Sequence, residues 1–390
     1  MLKSKRIKVA LDPEALAESK GDAEFVIAAP RLLPALKILI APNLWLGETY
    51  VAGSWYLQKG ALAEFLRAGR SDATALFKSY YEFLSAIKGI RYYLAQYAFN
   101  RHYTRQVKRH YDVDAAIYGM ILDEEMVYTC GFFPTGDETL VRAQQEKLST
   151  IIARLALPRQ QCKVLDMGCG WGALTRALVK HRRDIHVCGL SISPRQIEWA
   201  KTKAAHWLSP DECSRIEYRA EDYVAHSRIG YYDAVAVVGM IEHVGLGGYS
   251  ECLARIYAFL RPGGTAVIHT IISPTPGDPT NRWIDRHIFK GGYIPASSEL
   301  LKALEKHPFQ VSAIYLHSPR HYRRTIELWL ENFLRNSERM QTYLKTCGLS
   351  ESEAEKLMRT WAFYLSAVRN MFADDEPRSH QVVHLCIRKV

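Results

Sequence analysis

The sequence predicts an α/β fold: a parallel, doubly wound sheet with helices on both faces, preceded by a smaller N-terminal domain. Three observations predict it. From Gln160 onward, short runs rich in apolar and β-branched residues alternate with segments of helical character. One such run, Val164-Leu165-Asp166-Met167, leads through glycines at 168, 170 and 172 into Ala173-Leu174-Thr175-Arg176-Ala177-Leu178, the opening turns of a helix. Finally, 390 residues give room for two domains.

In chain order, the first twenty residues are charged and unpatterned and read as a loose arm. Phe25-Val26-Ile27 reads as a strand, and Leu62 to Leu66 as a short helix. Between them, an apolar run from Leu32 to Leu44 is broken by Pro34, Lys37 and Pro42. The stretch from Thr74 through Tyr111 reads as helical. On it Arg101, Arg105 and Arg109 recur every four residues and share a face beside Tyr93 and Tyr97. Ile185 to Leu190, Arg215 to Arg219, Asp233 to Val238 and Thr265 to Ile272 read as further strands. Pro194 to Ala204 reads as a helix capped by Ser193. Tyr249 to Leu260 reads as another, stopped by Arg261-Pro262-Gly263-Gly264. The resulting division is a small domain over 1–90, a helical linker over 91–110 and a catalytic domain over 111–390.

Composition narrows the class. A hydrophobic content of 48% is that of a globular protein, and 51 Lys+Arg against 41 Asp+Glu favour an anionic partner. The eight cysteines are scattered without a C-x-x-C pair, which argues against a disulfide framework or a metal site and for a reducing compartment. Met1 to Lys8 is basic, but no apolar run follows it as in a cleavable signal. No stretch reaches the ~18 apolar residues that a membrane span needs. The expectation is a cytoplasmic protein, soluble or attached to a membrane only at its surface. Nucleic acid is the weakest partner reading, because no nucleic-acid motif accompanies the charge.

Asp166-x-Gly168-x-Gly170-x-Gly172 is the usual opening of an S-adenosylmethionine pocket. The glycines let backbone approach a ligand, and the helix start offers free N–H groups. A structural glycine turn and a dinucleotide site are its alternatives, the latter disfavoured by the absent G-x-x-G ending. Ser191 and Gln196 follow the second strand, at the ribose-contacting position. Glu221 and Asp222 follow the third, where a carboxylate can accept from an adenine amine. Glu242 and His243 follow the fourth strand at the same sheet end, and His269 lies inside the fifth. Each has a plain structural alternative: a helix-start acid, a satisfied core histidine, a surface carboxylate. Cys130 has no visible partner in the sequence.

With these segments assembled, the chain resembles the cyclopropane-fatty-acyl-phospholipid synthases. The resemblance is carried by His110-Tyr111-Asp112, Leu122-Asp123, Tyr128-Thr129-Cys130 and Ala143-Gln144-Gln145-Glu146-Lys147. It continues through the glycine loop, Gly189-Leu190-Ser191-Ile192-Ser193, Gly239 to Gly245, His269-Thr270-Ile271, Trp283 to Phe289 and Tyr322 to Thr325. Leu46 to Tyr50 and Ala52 to Trp55 are similar to the family's N-terminal lipid-engaging domain. The resemblance implies a Rossmann-like class I methyltransferase sheet, and transfer from S-adenosylmethionine to a cis double bond of a phospholipid acyl chain. It implies S-adenosylmethionine held by Tyr128, Thr129, Asp166, Gly168, Gly170, Ser191, Gln196, Glu221 and Asp222. It also implies a bicarbonate that takes up the proton of ring closure, caged by Cys130, Glu242, His269, Tyr322 and the backbone of Ile271. An anionic membrane docking on the Arg101–Arg109 face and a homodimer are further expectations.

The chain departs from the family pattern at several places. Val113-Asp114-Ala115 replaces a Gly-Asn, and Gly131-Phe132-Phe133 follows Cys130 where a second Tyr or Trp is common. His380 and His384 flank Gln381-Val382-Val383 where aromatic residues are usual. These bear on acyl selectivity. The rival readings are a lipid C-methyltransferase with a methyl-branched or methylene product, a small-molecule N-methyltransferase, and a non-catalytic lipid- or S-adenosylmethionine-binding protein.

Overall fold

The computed structural model describes residues 7–10, 24–28, 37–38, 41–68, 115–278, 280–373 and 379–390. The chain clusters into two compact units, one of 1–90, 279–288 and 326–371, the other of 91–278, 289–325 and 372–390. Segments 279–288 and 326–371, from the later part of the chain, cluster with the first unit.

The reason is visible within the first unit. Strands β1 (Ile7–Ala10) and β2 (Phe25–Ala28) pair in parallel, and β3 (Tyr56–Lys59) pairs antiparallel to β2. Phe25, Ile27, Trp55, Phe65 and Ala68 form the core of this unit. Pro42, which breaks the apolar run in the sequence, occupies the first turn of a helix, Pro42–Val51, where its missing N–H costs nothing. Thr49 on that helix accepts from Trp55 Nε1 at 3.0 Å and donates to Trp45 O at 2.6 Å. Trp283 packs on Gly47 of the same helix and on Phe363, 4.7 Å between ring centres. Glu48 accepts from Arg286 (3.1 Å) and pairs with His287 (2.9 Å). The Leu46–Trp55 and Trp283–Phe289 motifs, 230 residues apart, thus meet largely in one small core. The helical face of Arg101, Arg105 and Arg109 lies outside the described residues.

The second unit is built on a seven-stranded sheet. Its strands are β4 (Cys162–Met167), β5 (Ile185–Ser191), β6 (Ile216–Ala220), β7 (Tyr232–Val238), β8 (Leu260–Ile272), β9 (Phe309–His317) and β10 (Gln381–Lys389), in the order β6-β5-β4-β7-β8-β10-β9. The five strands β4 to β8 are parallel, as the βα alternation predicts. The sheet as a whole is mixed, because β10 inserts antiparallel between β8 and β9. The strand order reverses between β4 and β7, and the crevice beyond their C-terminal ends is the natural ligand position. β8 is longer than expected: Arg261-Pro262-Gly263-Gly264 does not end the helix in a loop but forms a bulge within the strand. Ser193 caps helix Pro194–Trp207 through the Gln196 N–H, as read from sequence. Among the described residues no helix is long and apolar enough to cross a membrane.

Candidate active site

The glycine loop follows β4 and opens helix Ala173–His181. All three glycines have positive φ, at 88°, 53° and 82° for Gly168, Gly170 and Gly172. They do different work. A Cβ on Gly172 would fall 2.5 Å from the Tyr218 hydroxyl, and one on Gly168 would fall 2.8 Å from Met240 Cγ. These two glycines close the loop against its neighbours. A Cβ on Gly170 would meet nothing within 4 Å, so this residue bares its backbone to open space.

That space is a cavity of about 230 Å³. Tyr128, Thr129, Asp166, Gly168 and Gly170 line one side of it, and Ser191, Gln196, Glu221 and Asp222 another. Ser191 donates to Gln196 Oε1 at 2.7 Å and accepts from the Ser193 N–H at 3.2 Å, which fixes both side chains after β5. Glu221 is held by Arg219 (3.1 Å) and His226 (3.3 Å), while Asp222 Oδ1 accepts from the Val224 N–H at 3.0 Å. Gly239, at the end of β7, comes so close to Thr129 that a Cβ would strike its methyl at 2.5 Å. The described residues fit S-adenosylmethionine: exposed loop backbone, a buried carboxylate on β4 and paired polar groups after β5.

Asp166 is buried and its Oδ2 accepts from Thr175 Oγ1 at 2.8 Å. Burial lifts its carboxyl to about 6, with the Thr175 bond and the nearby Lys147 charge opposing. Lys147 was quoted in the sequence motif without a role. It is 1% exposed, lines the cavity, and donates to Thr129 Oγ1 at 3.0 Å. Burial pushes its ammonium down to about 8, against the pull of Asp123, Cys130 and Asp166. Asp123, also buried and also raised to about 6 chiefly by burial, accepts from the Val127 N–H at 2.8 Å. A signal for Lys147 was present: Leu140, Ala143, Gln144, Lys147, Leu148 and Ile151 form the buried face of helix Leu140–Arg154. A lysine on an apolar stripe needs a buried partner.

The second group of expected residues gathers at the C-terminal end of β8. Cys130 is buried with Phe132 and Val382, and Ile271 and Tyr322 pack against them. Glu242, on the turn Ile241–His243 after β7, accepts the Ile271 N–H on Oε1 at 2.8 Å. Its other oxygen, Oε2, is buried with no hydrogen-bond partner among the described residues. Burial raises the Glu242 carboxyl and, likewise, the Cys130 thiol, which shifts both toward their protonated forms. His269 lies two residues before Ile271 on the same strand and so on the same face. Its Nδ1 is 2.7 Å from His384 Nε2. The orphaned Glu242 oxygen fits a small anion that can take a hydrogen bond from a protonated carboxyl. The Ile271 N–H is already engaged by Glu242. His243, lining the first cavity, is held near 4 by burial. Among the described residues no cluster of His, Cys, Asp or Glu is arranged to hold a metal ion.

A doubly wound sheet with this loop after its first parallel strand, and a cavity over the switch point that carries paired polar groups, defines a class I S-adenosylmethionine-dependent methyltransferase. Comparison with known proteins agrees and goes further. The family model described as mycolic acid cyclopropane synthetase matches residues 99–382, and the chain belongs to that family. A probable fatty acid methyltransferase of Pseudomonas putida is 29% identical over 284 residues, 71% of this chain and 68% of the relative. The cyclopropane-fatty-acyl-phospholipid synthase of Escherichia coli K12 is 27% identical over 353 residues, 89% of this chain and 84% of the relative. The solved structure of the cyclopropane synthase MmaA2 from Mycobacterium tuberculosis superposes with a TM-score of 0.63 at 25% identity, covering 74% of this chain and 99% of that one.

Proposed function

We propose that this methyltransferase transfers the methylene equivalent of S-adenosylmethionine to the cis double bond of an unsaturated phospholipid acyl chain, closing a cyclopropane ring. The observation that carries this reading is the buried Glu242 carboxyl, which takes the Ile271 N–H of the Cys130–Tyr322 cluster on one oxygen and has no hydrogen-bond partner among the described residues on the other. Bound in the glycine-loop cavity, S-adenosylmethionine supplies an electrophilic methyl group. An alkene is a weak nucleophile, and ring closure requires the loss of one proton from a positively charged acyl chain. The protein's part is to keep that chain from water and to offer a proton acceptor where it lies. Phe132, Ile271 and Val382 supply apolar walls. Cys130, Glu242, His269 and Tyr322 would hold bicarbonate there, with Ile271 acting through Glu242; bicarbonate supplies the acceptor.

The remaining assignments extend this reading. The unit containing residues 1–90 engages lipid, the Arg101–Arg109 face docks on an anionic membrane, and the enzyme acts at its cytoplasmic surface, as a homodimer. A lipid C-methyltransferase giving a methyl-branched or methylene product is the second reading, favoured by the Pseudomonas putida relative. One experiment separates them: incubation with S-adenosylmethionine and anionic vesicles of a cis-monounsaturated phospholipid, followed by mass spectrometry and proton NMR of the acyl chains. Gain of one CH2 with loss of vinyl protons and new upfield ring protons supports cyclopropanation. The same mass gain with an alkene retained assigns the second reading. No lipid product, with S-adenosylmethionine bound, rejects both.

A further inference from the structure

Behind His269 of the cage lies a set of side chains, Arg154, Tyr315, His317 and His384, that the mechanism above does not use. The register of β8, β10 and β9 sets His269 opposite His384, and His384 opposite Tyr315. Directly opposed residues put their side chains on one face, so these three form a row across the sheet. Arg154, the last residue of helix Leu140–Arg154, completes the row: its guanidinium lies 3.8 Å from the Tyr315 ring centre. Arg154 Nη1 meets both His384 Nδ1 and, at 2.8 Å, His317 Nε2. Phe132 covers the group, its ring centre 4.2 Å from that of His317 and 5.3 Å from that of His384. His384 and His269 are 0% and 2% exposed.

The directions of these bonds follow from one chemical fact: a guanidinium only donates. Nη1 carries two hydrogens, one for each imidazole nitrogen that it meets. His384 Nδ1 therefore accepts, and the hydrogen of that neutral ring sits on Nε2. This Nε2–H faces His269 Nδ1, which accepts in turn, leaving the His269 hydrogen on Nε2. Both rings are neutral, because burial first, and then the neighbouring histidines and the charges of Lys147 and Arg154, hold them well below the ordinary imidazole range.

We propose that Arg154, acting through His384, locks His269 as the Nε2–H tautomer, so that His269 serves the cage as a hydrogen-bond donor and not as the base. The tautomer lock stands on the geometry; its catalytic consequence rests on the cage reading. Arg154 and His384 are positioning residues. A donor is what an anion needs from the protein, and the proton of ring closure then passes to that anion.

The test uses the full-length protein with 15N-labelled histidine. Imidazole 15N–1H correlation spectra should show His269 and His384 protonated at Nε2 and bare at Nδ1. Arg154→Met removes the obligatory donor and should give mixed tautomers at both rings. His384→Gln keeps an acceptor for Arg154 and a donor for His269, whereas His384→Leu keeps neither. The Leu variant should lose about tenfold or more in kcat at unchanged S-adenosylmethionine affinity, and the Gln variant should retain most of it. A wild-type His269 protonated at Nδ1 overturns the proposal, as does equal loss in the Leu and Gln variants. If the wild type makes no lipid product, the cage reading fails while the spectra still decide the lock.

Discussion

Lys147 donates to Thr129 Oγ1 at 3.0 Å from inside the protein, 1% exposed. Its ammonium faces two buried carboxyls, Asp123 and Asp166, and pulls both down against the burial that raises them to about 6. Lys147→Met removes one of the causes that oppose burial at each carboxyl. Titration calorimetry of S-adenosylmethionine from pH 5 to 8.5 should show wild-type affinity declining as pH falls through about 6, where Asp166 takes up its proton. In the variant that decline should begin at higher pH, and an unmoved limb would show that Lys147 does not govern Asp166. Stability carries a second sign. The folded-state ammonium, near 8, lies below its unfolded value of 10.5. Between those values the unfolded state binds the extra proton, so this group's contribution to stability rises with pH across that window. The wild-type minus variant difference in urea midpoint should rise accordingly.

The three loop glycines should separate by substitution. Gly172→Ala forces a Cβ to within 2.5 Å of the Tyr218 hydroxyl and 3.0 Å of Ala200, at φ 82°. Overpacking of this kind costs ~1–3 kcal/mol, before the left-handed backbone adds its own ~1–2 kcal/mol. Gly170→Ala meets no neighbour, and its φ of 53° lies in the region that an L-residue tolerates best among positive values. Its stability loss should stay near ~1–2 kcal/mol, while its methyl takes space at the cavity wall. Chemical denaturation should therefore rank Gly172→Ala as the less stable protein. Calorimetry should show Gly170→Ala folded but weakened toward S-adenosylmethionine, and unchanged affinity would mean that no ligand approaches this backbone.

Gly47 makes the same argument for the other unit. A Cβ there would lie 2.6 Å from Trp283 Cδ1 and Cγ, in the body of a rigid indole and not at a flexible tip. Trp283 is 1% exposed and has no room to retreat. Gly47→Ala should cost ~1–3 kcal/mol in spite of alanine's better helix propensity. Gly53→Ala is the control within the same unit, since its nearest neighbour is the Arg359 guanidinium at 3.7 Å. It should pay only the ~1–2 kcal/mol of its left-handed backbone. No loss in Gly47→Ala would mean that Trp283 yields and alanine's helix propensity prevails.

What the sequence made legible follows from how each signal is encoded. β4, β5 and β7 are almost wholly buried parallel strands, so they read as near-continuous apolar runs, and the glycine loop announces itself by spacing. β9 was invisible because it is the sheet edge: most of Phe309–His317 is exposed, and no two-residue period marks a buried face. The discontinuous units were hidden for a different reason. The contact of Gly47 with Trp283 spans 236 positions, and local pattern carries no record of such pairings. His384 appeared in the sequence only as a departure from a family pattern. Its partnership with Arg154 and His269 is set by strand register, which becomes visible once β10 is placed between β8 and β9.

Glu242 offers the sharpest test of the cage. Oε1 accepts the Ile271 N–H at 2.8 Å, and Oε2 is left buried without a partner among the described residues. Burial raises the carboxyl and so shifts it toward the neutral form, in which Oε2–H can donate. Glutamine reproduces both features: its carbonyl can accept from Ile271 and its amide can donate. Glu242→Gln should therefore keep turnover within about tenfold of wild type, whereas Glu242→Ala should lose ~10²-fold or more. Both should bind S-adenosylmethionine with wild-type affinity, because Glu242 does not line that cavity. Steady-state kinetics with calorimetry on the two variants gives the answer. If glutamine is as damaging as alanine, Glu242 must exchange its proton during the reaction, and the carboxyl is then part of the acid–base path itself. If both variants lose S-adenosylmethionine affinity in step with turnover, the orphaned oxygen belongs to the donor site and there is no separate cage.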